Sequence, residues 1–171
     1  MSNQCAVVKE AKARITIEER PIPEPGLDDI LVKNVALATN PVDWKMQESG
    51  YFIESYPIIL GSDIAGTVEA VGSGVTRFEK GDRVTGFADV SSSKNPINGA
   101  FQKYTVLKAC ATAKIPSSLS FEEGSILPMS IATAGVGFFQ VLGIPRPPAR
   151  LAGCFLVWGA SSSVGSAAVR T

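Results

Sequence analysis

The stretch Gly61-Ser62-Asp63-Ile64-Ala65-Gly66-Thr67-Val68-Glu69-Ala70-Val71-Gly72-Ser73-Gly74-Val75, followed closely by Gly81-Asp82-Arg83-Val84, decides the fold. Ile64 to Val71 is apolar and β-branched between glycines, which is the pattern of a strand. Gly72-Ser73-Gly74 offers residues able to take positive φ, so a tight reversal is expected there. Gly81-Asp82 marks a second turn, and Arg83-Val84-Thr85 opens the next strand. So many glycines in so short a span require backbones that approach closely and turn hard, which suits a compact β-barrel.

Upstream, Tyr51 to Tyr56 is an aromatic-rich loop, and Pro57-Ile58-Ile59-Leu60 leads into the opening stretch. Asp29 to Asn40 is the longest β-rich segment. Both of its alternating sets are mostly apolar, so it reads as a central strand partly buried on both faces. Asn40-Pro41 stops it. Val42 to Met46 then forms a helical turn, with Asn40 as cap and Pro41 at the first helical position. Cys5 to Lys9 and Ile15 to Glu18 read as an opening hairpin around the polar residues Glu10 to Arg14. The prolines Pro21, Pro23 and Pro25 make a rigid, extended connector.

Downstream, Thr85 to Phe87 continues a strand, and Asp89 to Asn98 is a polar, exposed loop. Gly99 to Val106 and Ala109 to Lys114 read as further strands. Ser120-Phe121-Glu122-Glu123 is a capping box that starts a helix at Phe121. Pro128 interrupts it, and a second helix runs from about Met129 to Leu142. That helix is rich in small residues (Ala132, Thr133, Ala134, Gly135, Gly137), so another element is expected to pack closely on it. Gly143 to Pro148 is the best domain boundary. It leaves a first domain with its linking helices over residues 1–143, and the start of a second over 151–171. There Cys154 to Trp158 reads as a buried apolar strand, Gly159 to Gly165 as a small-residue turn, and Ser166 to Arg170 as a helix start. Strand, turn and helix form the first half of a dinucleotide-binding βαβ unit. The turn departs from G-x-G-x-x-G: Ala160 and Ser162 stand at the first two glycine positions, and only Gly165, the close-packing position, is kept. On this turn alone, a generic strand-to-helix connection stands beside a nucleotide site.

The chain has 171 residues, 45% of them apolar, which is enough for one complete domain and part of another and argues against disorder. Sixteen basic and sixteen acidic residues balance to zero net charge, which argues against a nucleic-acid or anionic-membrane surface. There is no apolar run of about 18 residues and no leader pattern at the N-terminus, so a soluble, cytoplasmic protein is expected. There is no histidine. That removes a Ser-His-Asp triad, a Cys-His pair and any His-ligated zinc or haem from these residues. Cys5, Cys110 and Cys154 are far apart, form no Cys-x-x-Cys knuckle, and read as small buried hydrophobes.

Six motifs, in order, carry a resemblance: Asn40-Pro41-Val42-Asp43, Gly61 to Gly66, Val71 to Val75, Lys80 to Val84, Gly99-Ala100-Phe101 and Gly159 to Gly165. Together they resemble the medium-chain dehydrogenase/reductase superfamily, on its zinc-independent, quinone-oxidoreductase-like side. Asn40 to Lys45 and the Ser161-Ser162-Ser163 turn look most like the fungal trans-acting enoyl reductases that serve polyketide synthases. The fold this implies is mainly β, a GroES-like barrel with flanking helices, followed by the first strand, turn and helix of a truncated Rossmann domain. Zinc enzymes of the superfamily use a Cys near Asp43 and a His in a Gly-His-Glu motif. Here those places read Asn40-Pro41-Val42-Asp43 and Gly61-Ser62-Asp63, so no metal is expected.

The resemblance further implies NADPH-dependent reduction of an activated C=C bond. In that chemistry the substrate carbonyl oxygen gains negative charge and needs a facing donor. Lys45 and Thr133 are the expected catalytic groups, against the plainer readings of a solvated lysine and a hydroxyl bonded to its own helix. Val42, Asp43, Trp44 and Lys45, with Ser161, Ser162, Ser163 and Val164 at a helix N-terminus, are the expected cofactor contacts. Leu127, Pro128, Met129, Ser130, Ile131, Ala132, Thr133 and Ala134 are the expected substrate pocket. The implied substrate is a small or carrier-bound acyl group, the implied partner a polyketide synthase, and the longer parent a monomer or homodimer. A quinone reductase and a non-catalytic barrel remnant are the alternatives. The resembled enzymes are about twice this length, so a fragment or truncated product is expected, with Leu151 to Thr171 poorly ordered by itself.

Overall fold

A computed structural model describes residues 2–90, 95–147 and 154–170. The chain divides into two compact units, Met1–Ile126 and Leu127–Thr171. The helical residues 127–143, read from the sequence as linkers of the first domain, fall within the second unit.

The first unit is mainly β. The strands β1 (Asn3–Val8), β2 (Thr16–Arg20) and β4 (Ile58–Ile59) form one antiparallel sheet in the order β2-β1-β4. A five-stranded antiparallel sheet has the order β7-β3-β5-β6-β8, from β3 (Asp29–Ala38), β5 (Asp63–Val71), β6 (Arg83–Phe87), β7 (Tyr104–Lys108) and β8 (Thr112–Lys114). The expected central strand is indeed flanked on both sides, by β5 and β7. Ile30, Leu31 and Val32 are its buried half, and Ile30 and Val32 pack with Ile64, Val68, Val84 and Leu107. Val8, Met46, Ile58 and Leu60 form a second cluster, and Phe101 packs against both.

Phe101 also explains a departure from expectation. Gly99 to Val106 alternates like a strand, but only Tyr104 onward enters the ladder as β7. The preceding residues bond to several elements at once. The Ala100 and Phe101 amides donate to the Gly61 and Leu60 carbonyls, Ala6 donates to Phe101, and Lys103 donates to Gln4 while accepting from Asn34. Alternation reports burial, and here burial comes from bridging two sheets rather than from extending one. Ala109 to Lys114 departs similarly: Ala109–Ala111 is a 3-10 turn, and only Thr112–Lys114 pairs, with β6.

The glycines of the opening stretch serve two separate purposes. Gly61 and Gly81 take positive φ, 89° and 98°. Gly72 and Gly74 do not, although the expected reversal is there, closed by the Val75 amide donating to the Gly72 carbonyl at 3.0 Å. They are small for another reason: a Cβ on Gly72 would lie 1.9 Å from the Gly26 carbonyl oxygen. Packing, not turn conformation, demands glycine there.

Helix α1 (Pro41–Ser49) runs longer than the expected turn and ends on left-handed Gly50, whose amide caps Met46. Helix α2 (Phe121–Ser125) starts with the expected capping box between Ser120 and Glu123. The Thr85 hydroxyl, donating toward the Ile64 and Gly124 carbonyls, ties α2 to the sheet.

In the second unit, α3 (Pro128–Gly135) begins at Pro128 and continues as a π-helical turn over Val136–Val141. It packs on α4 (Ser163–Arg170), which is the close neighbour its small residues require. Residues 154–157 form no strand. Leu156 and Trp158 are 88% and 93% exposed, where burial was expected. A parallel strand is held only by neighbours on both edges and both faces, and no described strand pairs with this segment. Residues 148–153, which include the start of the expected second domain, lie outside the described residues, as do residues 91–94 of the polar loop. By length and composition alone, Phe121–Val141 would suffice to cross a membrane, a feature not anticipated from the sequence. Glu122 and Glu123 near its start and the break at Ile126–Leu127 divide it between the two units.

Candidate active site

The polar centre of the first unit lies where β3 hands over to α1. Ala38, the last residue of β3, pairs with Asp63, the first of β5. Asn40 follows two residues later and so sits beside Asp63. The Asn40 side-chain N–H donates to Asp63 Oδ2 at 2.9 Å, and its backbone N–H donates to Asp43 Oδ2 at 2.7 Å. The Asp43 amide donates back to the Asn40 carbonyl at 3.0 Å. Asn40 is the expected N-cap of α1: its side chain faces the Asp43 amide while the Asp43 carboxylate reaches back to the Asn40 amide, as a capping box.

Both carboxylates are buried: Asp43 is 6% exposed and Asp63 1%. Burial pushes the Asp43 carboxyl above the usual aspartate range, and the Asn40 and Gly61 amides pull only part of the way back. Asp43 Oδ1 is buried without a hydrogen bond of normal geometry. No Lys or Arg is ion-paired to Asp43 among the described residues. Beside these groups opens a cleft of about 530 Å³, lined by Asn40, Asp43, Trp44, Gln47, Leu60 and Phe101. Gly61 borders Phe101 so tightly that a Cβ would lie 2.4 Å from its ring.

The structure gathers the first set of expected cofactor contacts on α1. Val42 packs into the Met46–Leu60 cluster, and Asp43 is buried at the cleft. Trp44 is exposed and lines the cleft, and exposed Lys45 holds its ammonium 5.9 Å from the Trp44 ring. The second set, Ser161, Ser162, Ser163 and Val164, surrounds the start of α4 in the second unit. The Ser162 hydroxyl accepts from the Gly165 amide at 3.0 Å and is the cap of α4. Ser161, Ser163 and Val164 are exposed. Gly165 keeps its expected role: a Cβ there would lie 2.1 Å from the Gly159 carbonyl oxygen, so the helix start rests directly on the turn.

The expected substrate residues run from the chain before α3 into that helix. Leu127, Pro128 and Met129 are half-buried, Ser130 and Ala134 are buried, and Ile131, Ala132 and Thr133 are exposed. The Ser130 hydroxyl donates to the Leu127 carbonyl, whereas Thr133 presents an exposed side chain. Lys45 and Thr133 belong to different units. Two residues of the cleft, Asn40 and Phe101, and Asp63, bonded to Asn40, escape the sequence reading. Asn40 was read only as a cap, Asp63 only as a missing ligand, and Phe101 only as part of a strand. The proximity of Ala38 to Asp63, which required the β3–β5 register, was the signal that linked the first two.

Residues 26–117 match the family described as alcohol dehydrogenase GroES-like domain. The chain belongs to that family, within the medium-chain dehydrogenase/reductase superfamily. A dehydrogenase named pigH from Monascus ruber is 47% identical over 167 residues, covering 91% of this chain and 45% of its own length. A trans-enoyl reductase named himH from Aspergillus japonicus is 40% identical over 145 residues, covering 83% of this chain and 42% of its own length. The crystal structure of an alcohol dehydrogenase superfamily protein from Novosphingobium aromaticivorans matches with a TM-score of 0.83 at 30% identity, over 98% of this chain and 49% of that one. The chain spans about half the length of the relatives it matches.

Proposed function

We propose that these residues form the substrate-side half of an NADPH-dependent reductase of activated C=C bonds, of the enoyl reductase type, acting without zinc on acyl groups presented by a polyketide synthase. The observation that carries this reading is the cleft at the start of α1, with buried Asp43 at its wall and the Lys45 ammonium on the same helix. The name borne by the relative from Aspergillus japonicus agrees with it.

The bound nicotinamide supplies the hydride. The chain's own residues supply placement and charge. Lys45 faces the carbonyl oxygen of the unsaturated thioester and stabilises the negative charge that grows there as the β-carbon is reduced. Thr133 donates a hydroxyl to the same kind of oxygen. Phe101, Leu60 and Trp44 give the cleft an apolar wall that lowers the local dielectric and strengthens such contacts. Ser161, Ser163 and Val164 offer donors to the cofactor's phosphates at the start of α4, where unpaired amides favour anions. The polar side chains lining the cleft, Thr39, Asn40, Asp43 and Gln47, include no thiolate and no imidazole, and so do not fit a zinc site. Among the described residues no group of three His, Cys, Asp or Glu is placed to hold a metal ion.

NADPH consumption tests this on the protein at the length of its relatives. An α,β-unsaturated acyl thioester is expected to be reduced at a rate that a zinc chelator leaves unchanged. Lys45→Met is expected to lower kcat by about 100-fold, the scale of a lost oxyanion donor. Turnover of quinones but not of enoyl thioesters, or full activity in Lys45→Met, overturns the proposal.

A further inference from the structure

We infer that Asn40 is a positioning residue: its two N–H groups clamp the buried carboxylates Asp43 and Asp63, and so fix the first turn of α1, which carries Trp44 and Lys45, to strand β5. Helix-capping chemistry accounts for only part of what Asn40 does: it is the N-cap of α1 and forms a capping box with Asp43, and it also gives a bond that a cap does not need. A cap is an acceptor for helix amides, and Asp, Ser and Thr serve as well as Asn. In this capping box the Asp43 carboxylate takes the Asn40 backbone N–H at 2.7 Å. The Asn40 side chain is in addition a donor, to Asp63 at 2.9 Å. Of the usual cap residues, only Asn carries an N–H to give.

The donors matter because of where the carboxylates lie. Asp43 and Asp63 are 6% and 1% exposed, and a buried carboxylate is held only by hydrogen bonds or an opposite charge. Each accepts one bond from Asn40. The two bonds run in different directions, one along the chain into α1 and the other across to β5. The first holds the turn together and the second ties that turn to β5, so the helix start cannot rotate against the strand without breaking the bond to Asp63. Trp44, Asn40 and Asp43 share the wall of the cleft, and Lys45 follows Trp44 directly. Fixing this turn fixes the rim of the cleft. The link to Lys45 rests on the proposed function; the clamp itself does not.

The test uses the whole 171-residue chain in a Trp158→Phe background, so that Trp44 is the sole indole. Three variants are compared by Trp44 emission and acrylamide quenching: Asn40→Asp, Asn40→Leu, and the double variant Asn40→Asp with Asp63→Asn, which reverses donor and acceptor across the same gap. The expected result is a rise of about twofold in Trp44 quenching for both single variants, the scale of a locally opened turn, and return to the parent value in the reversed pair. If Asn40→Asp behaves like the parent, the residue is only a cap and the inference falls. It falls equally if the reversed pair is no better than Asn40→Asp alone. Lys45→Met separates the two proposals. Lost turnover with Trp44 quenching unchanged on removing the Asn40 donor would retain the functional reading and remove the clamp. Full turnover in Lys45→Met with the clamp results as expected would do the opposite.

Discussion

The two units treat the same kind of residue in opposite ways. In Met1–Ile126, Ile30, Val32, Ile64, Val84 and Leu107 are at most 1% exposed. In Leu127–Thr171, Ala134 is the only buried apolar side chain among the described residues, while Leu156 and Trp158 stand almost fully in solvent. The difference lies in how each architecture finds its partners. Antiparallel strands are paired by neighbours close in the chain, as β1 is by β2 and β5 by β6. An apolar segment of the α/β type needs parallel neighbours and helices on both faces, all distant in sequence. Apolarity sets a demand for burial, and topology decides whether that demand is met.

Paired substitutions sharpen this contrast. The largest effect is expected from Ile64→Ala, which removes a fully buried side chain and should cost about 3 to 4 kcal/mol in urea unfolding. Leu156→Ala should stay within about 0.5 kcal/mol. Equal costs at the two sites would mean that the second unit buries Leu156 in solution.

Next come the glycines. Gly72→Ala drives a Cβ into the Gly26 carbonyl and should cost about 3 kcal/mol of global stability. Gly165→Ala meets the Gly159 carbonyl just as closely, but its effect should be confined to α4 and leave the main unfolding transition in place, as followed by hydrogen exchange. A lowered midpoint for both variants would show the units to be one cooperative system.

A smaller change is expected from Ser162→Ala, which removes the cap of α4 and should weaken that helix by about 1 kcal/mol. Faster amide exchange at Gly165 and Ser166, with none in the sheets, is the sign to look for.

The smallest effect is a slope with pH. Burial holds the Asp43 carboxyl above its unfolded value, so the folded state retains a proton that the unfolded state has already lost. The associated stability is fully present below the unfolded aspartate value, about 4, and is lost as pH rises through the higher folded value. Asp43→Asn should flatten the stability profile in that window. An unchanged slope would place its source in another group.

Much of the first unit was legible because its signals are local. The Ser120 to Glu123 capping box, Pro41 at the start of α1 and the β-branched run from Ile64 are each read within a few residues, and each reappears in the structure. Phe101 was misread because alternation records burial without naming what does the burying. Gly72 was placed correctly for the wrong reason: a backbone crossing and a left-handed turn leave the same letter. At the cleft, Val42 to Lys45 could be singled out in sequence, but the tie between Asn40 and Asp63 spans 23 positions and exists only through the β3–β5 register.

The sequence by itself determined the class of the first unit, its glycine-dependent crossings, the helix starts and the absence of imidazole. These follow from conformational preference and composition, which act residue by residue. Only the tertiary structure decided which polar groups meet, that Asp43 and Asp63 are buried around one asparagine, and that Cys154 to Trp158 forms no described strand. Those depend on partners distant in the chain, and no local preference specifies a partner.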